Sequence, residues 1–63
     1  MKLHKLLMLL ADNERIHVYD ESRRPTENIF MGTVIECYEH PKVLKRRVTY
    51  FFSAHYELVI FVK

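Results

Sequence analysis

The 63-residue chain carries ten Lys and Arg against eight Asp and Glu, a formal net charge of +2, and is 49% hydrophobic with one Gly and two Pro. That balance excludes disorder, which needs low hydrophobicity and high net charge, and it is too weakly basic to imply a nucleic-acid partner by itself. The length allows one domain, residues 1–63, marginally stable alone, for which oligomerisation is a usual remedy.

Cys37 is the only cysteine, so no intramolecular disulfide can form and a cytoplasmic protein is expected. The apolar run 6–11 is too short to span a membrane. No small-residue cleavage site follows it, so neither a targeting segment nor a membrane partner is expected.

Residues 1–11 read as an amphipathic helix. Leu3, Leu6, Leu7 and Leu10 recur at helical spacing, and Asp12-Asn13 forms the stop. Residues 14–20 alternate, Ile16 and Val18 on one side and Arg15, His17 and Tyr19 on the other, as a half-buried strand does. The polar stretch 20–28, with Pro25, reads as a loop. Residues 29–34 form a second strand. Gly32 inside it marks a close approach, expected from the N-terminal helix. Residues 35–46, broken by Pro41, form a connection. They lead into a β-hairpin over 47–63, rich in β-branched and aromatic residues.

The hairpin lacks the Asn-Gly of a tight two-residue turn, which favours a three-residue loop over 54–56. That register places Val48, Tyr50 and Phe52 with Leu58, Ile60 and Val62 on the core face. Phe51, Val59 and Phe61, with Met31 and Tyr19, then point outward. An even-length loop would swap the faces of one strand but leave both apolar. The fold class is α+β: one N-terminal helix on a four-stranded, mostly antiparallel sheet ending in the hairpin.

No motif names a reaction. His4, His17, His40 and His55 are scattered, without the four converging ligands of a structural zinc site. Cys37 and His40 have the residue types of a nucleophile and base, but a small buried hydrophobe is the ordinary reading of a free Cys. A single Gly excludes a Gly-rich phosphate loop. No enzyme, cofactor or metal is therefore expected. Lys42, Lys45, Arg46 and Arg47 precede sheet aromatics, a combination that binds single strands by charge and stacking. The second apolar face suits a protein partner or a homodimer, unless the segment 20–28 or 35–46 folds over it. The expected contact residues are Phe51, Val59 and Phe61 as anchors, with Arg23, Arg24, Lys45, Arg46 and Arg47 as a charged rim.

The order of features resembles small accessory proteins encoded by phages and prophages of Gram-positive bacteria. The match rests on Met1-Lys2-Leu3 with Leu6-Leu7, Ile16-His17-Val18-Tyr19-Asp20, Phe30-Met31-Gly32-Thr33-Val34 and Leu58-Val59-Ile60-Phe61-Val62. The connections depart from that pattern in being basic or apolar rather than acidic with Gly. Some small phage proteins of this size inhibit bacterial defence nucleases, CRISPR effectors among them. The resemblance therefore implies an anti-CRISPR-like inhibitor acting by stoichiometric protein binding in the host cytoplasm. It supplies no catalytic or binding residue.

Overall fold

The structure, a computed structural model, describes all 63 residues. In chain order it contains α1 (Leu3–Leu7), β1 (Arg15–Asp20), β2 (Glu27–Thr33), α2 (Val34–Cys37), α3 (Pro41–Leu44), β3 (Val48–Ala54) and β4 (Glu57–Val62). The sheet order is β2-β1-β4-β3. Both hairpins are antiparallel, and the two central strands, β1 and β4, run parallel. The expected α+β class and mostly antiparallel sheet are therefore present. β2 and β3 run in the same direction at opposite edges, so the chain must cross the sheet between them. The α2–α3 segment makes that crossing.

One core holds the molecule together. Ile16, Val18, Ile60 and Val62 on the central strands are fully buried against Leu3 and Leu7 of α1 and Val34 and Cys37 of α2. Val43 and Leu44 of α3 pack around this cluster. All three helices thus lie on one face of the sheet, and no element covers the other.

The N-terminal helix is shorter than its leucine spacing suggests. Beyond Leu7 the chain tightens into turns in which Leu9 and Leu10 donate to the carbonyls three residues back. Leu10 still reaches the core, whereas Leu9 is left exposed. The connection 35–46 proves to be two single-turn helices. Thr33 and Glu36 form a reciprocal capping box that ends β2 and starts α2. Pro41 opens α3, where its missing N–H is harmless.

The close approach at Gly32 is real, but the N-terminal helix does not make it. A Cβ there would sit 3.0 Å from Glu36 Oε1 and 3.1 Å from Phe30 Cζ. The capping carboxylate itself needs the space.

The C-terminal hairpin departs from the expected three-residue loop. Ala54 pairs with Glu57, leaving a two-residue turn of His55 and Tyr56, both at positive φ (52° and 64°). That is the primed geometry whose twist matches a hairpin. A bulge at Thr49 then restores the pairing of Val48 with Val62, and Thr49 Oγ1 donates to the Phe61 carbonyl at 3.1 Å. Between turn and bulge, every β3 side chain is on the opposite face from the one expected.

Left-handed backbone costs an ordinary residue about 1–2 kcal/mol. Tyr56 is fully exposed and His55 is exposed, so neither has much packing to lose. Replacing His55-Tyr56 by Asn-Gly is expected to stabilise the fold by about 1–2 kcal/mol in urea unfolding. An unchanged midpoint would show the turn to be unstrained.

Candidate binding face

The uncovered face can be read row by row from the strand register. Alternation puts Tyr19, His17 and Arg15 of β1 on it, with Phe61, Val59 and Glu57 of β4, Tyr50 and Phe52 of β3, and Met31 of β2. Adjacent strands lie about 4.8 Å apart, so residues in one row are neighbours.

The first row is cationic. Arg47 and Lys63 exchange backbone hydrogen bonds at 3.2 and 3.0 Å. Lys2 bridges Arg47 on its other side. Val48, Val62 and Leu3 point into the core side, so Lys2, Arg47 and Lys63 project from the open face. None of the three joins an ion pair. Glu21, whose N–H bonds to the Val62 carbonyl, is the acidic residue nearest in register.

The second row is aromatic. Tyr50 stacks on Phe61 at 4.7 Å with an interplanar angle of 7°, and Phe61 on Tyr19 at 5.6 Å. Phe52, one row on, stacks on both Tyr50 and Phe61 at 6.1 and 6.2 Å. These separations fall in the favourable range for ring pairs. Val59 and the exposed Met31 extend the apolar surface.

The last row neutralises itself. Glu57 Oε1 accepts from Arg15 Nε at 3.2 Å, and Glu57 Oε2 meets His17 Nε2 at 2.5 Å. The His17 hydrogen bond, then that of Arg15, holds the Glu57 carboxyl below its ordinary range against the opposing effect of burial. The face is therefore polarised: free cations at one end, a satisfied polar cluster at the other, and aromatics between.

The expected anchors fare differently. Val59 and Phe61 lie on this face, half-buried. Phe51 does not: it pairs with Ile60 and so lies on the helix side, because the two-residue turn flips β3. Tyr50 and Phe52 take the place assigned to it. Neither loop 20–28 nor segment 35–46 folds over the face, and the latter lies on the core side.

The expected charged rim is dispersed rather than continuous. Arg46 turns inward, its Nη2 2.7 Å from the buried Asp20 carboxylate. Arg23 pairs with Glu27 at 2.9 Å and approaches Asp20 at 3.5 Å. Arg24 is exposed in the loop beside Pro25, and Lys45 caps α3. Of the basic segment 42–47, only Arg47 reaches the aromatic face. Lys2 and Lys63, its neighbours there, carry no signal in the sequence, since their positions follow from a bridge and an end-of-strand register.

Cys37 is fully buried, and burial pushes its thiol up to about 11. That is the reverse of an activated nucleophile, whose pKa must fall. The His40 ring lies against Phe30 at 5.2 Å. No three His, Cys, Asp or Glu residues converge as metal ligands, and no helix is long and apolar enough to cross a membrane. The chain matches no family model, no curated protein and no solved structure.

Proposed function

We propose that this is a non-enzymatic accessory protein of the phage type that acts by stoichiometric protein binding through its open sheet face. The observation that carries the reading is the uncovered aromatic row of Tyr50, Phe61 and Tyr19 beside the unpaired cations Lys2, Arg47 and Lys63. Contiguous exposed apolar surface on a small protein tends to mark an interaction site. Tyr, Phe, Met and Arg are the types enriched at such contacts. The partner has an apolar patch bordered on one side by carboxylates, which the cation row steers into place. The target we propose, from the phage resemblance, is a bacterial defence nuclease such as a CRISPR effector.

The test is capture from a susceptible host's lysate, followed by affinity measurement on the protein recovered. Phe61→Ala is expected to weaken binding by at least about 30-fold, the size of a hot-spot loss. Lys63→Glu should slow association, while Lys42→Glu, on α3, should change nothing. Binding that survives Phe61→Ala, or no captured protein at all, would refute the reading.

A second reading rests on the same adjacency. A single nucleic-acid strand laid across the sheet would set phosphates over the cation row and bases over the aromatics. It predicts anisotropy changes with labelled oligothymidine, with a log–log salt slope of about −2 for three cations. No binding at low salt removes it.

A further inference from the structure

Three consecutive aromatics of β3 are exposed: Tyr50 at 53%, Phe51 at 47% and Phe52 at 44%. They alternate between the two faces of the sheet, so nothing laid on one face covers all three. A strand added at the edge does reach both faces. β3 is an edge strand, and its sequence, Val-Thr-Tyr-Phe-Phe-Ser-Ala, contains neither the charge nor the proline that ordinarily protects an edge.

Part of that edge is already occupied. Val48 donates to the Met1 carbonyl at 2.8 Å, Leu3 donates to the Arg46 carbonyl at 2.9 Å, and Lys2 bridges Arg47. Residues 1–3 therefore lie where a fifth strand would begin. Beside residues 50–54 the edge is bare. The two-residue turn makes Ala54 and Glu57 the hydrogen-bonded pair at its base, so alternation turns the backbone groups of Phe51 and Ser53 outward.

We propose that the missing strand is β3 of a second copy of this chain, paired antiparallel about a two-fold axis at Phe52. In that register Phe51 is opposite Ser53 of the second copy and Tyr50 is opposite Ala54, a large side chain against a small one, while the two Phe52 rings meet each other at the axis on the open face, an aromatic cross-strand pair. Four backbone hydrogen bonds form, two from each copy's Phe51 and Ser53. No charged residue falls within the paired stretch. The two Arg47 side chains stand roughly 30 Å apart, beyond the screening length. An uncharged, self-complementary edge fits a copy of itself, and a two-fold dimer is the simplest closed assembly. The resulting eight-stranded sheet leaves the open face free and joins two aromatic rows into one surface.

The test is mass by light scattering from micromolar to millimolar protein, with amide hydrogen exchange on the same samples. The expected mass rises to twice the 7.7 kDa of one chain, with Phe51 and Ser53 amides protected in the dimer. Phe51→Lys, and independently Ser53→Lys, should give monomers with unchanged circular dichroism and lost protection at those amides. Phe61→Glu, on the open face, should remain dimeric, so failure of this proposal is distinct from failure of the binding face. A monomer at millimolar concentration, or a dimer whose Phe51 and Ser53 amides exchange freely, would overturn it.

Discussion

Leu7→Ala is expected to lower stability by about 2–5 kcal/mol, the range for truncating a buried leucine. A single core in a chain this short rarely supplies more than about 3–5 kcal/mol, so the variant should be largely unfolded or close to it at 25 °C. The reason lies in how α1 is held. Five residues are far too few for an isolated helix, and Lys2 provides no side-chain cap. What holds the helix is the burial of Leu3, Leu6 and Leu7 against Ile16, Val18, Ile60 and Val62. Leu7→Met, which keeps the volume, should cost less than about 1.5 kcal/mol. Urea unfolding followed by circular dichroism separates the two variants. A loss below about 1 kcal/mol for Leu7→Ala would show that α1 is not integral to the core.

The elements that could be read from the sequence are those in which a period and a burial pattern agree. Ile16-x-Val18 and Leu58-x-Ile60-x-Val62 alternate, and the structure turns them toward Leu3, Leu6 and Leu7, with Leu58 half-buried and the other four fully buried. The faces of β3 were illegible for a physical reason. Tyr50, Phe51 and Phe52 are all aromatic, so hydrophobicity cannot say which of them points inward. The decision passed to the turn, and His55-Tyr56 is a left-handed pair without glycine or asparagine. Thr49 then added a bulge that no local pattern announces. The start of α2 was legible in principle, since Thr33-x-x-Glu36 is the capping-box signature. The run from Phe30 to Val34 masked it by reading as one continuous strand. On the candidate face, Val59 and Phe61 were within reach of sequence reasoning because β4 alternates cleanly. Arg47 was legible as part of the basic segment, but Lys2 and Lys63 were not, since they meet Arg47 only through a bridge and the strand order.

Asp20→Asn is expected to destabilise the protein more than removal of any other carboxylate, and to flatten its response to acid. Asp20 ends β1, is only 4% exposed, and gathers three parts of the chain. It accepts from Arg46 Nη2 at 2.7 Å, from the Ser22 N–H at 2.9 Å and from Ser22 Oγ at 2.5 Å, with Arg23 farther off at 3.5 Å. Arg46 comes from the α3–β3 connection, and its carbonyl also receives the Leu3 N–H, so this pair links β1 to the N-terminal segment. Asparagine keeps an acceptor for Ser22 but removes the charge that faces Arg46, leaving a half-buried guanidinium without its partner. The Arg46 hydrogen bond, followed by those of Ser22, holds the Asp20 carboxyl far below its ordinary value of 3.8, while burial works in the opposite direction. A carboxylate depressed in the folded state contributes its full stability above its unfolded pKa and loses it as pH falls toward the folded value. Stability should therefore decline steadily below about pH 4. Glu36 and Glu57, also depressed, act in the same sense. In Asp20→Asn the urea midpoint should be lower at pH 7, and it should fall less between pH 7 and pH 2 than in the natural chain. If both proteins show the same acid slope, the Asp20–Arg46 pair does not hold β1 to the connection, and the acid sensitivity belongs to the exposed carboxylates.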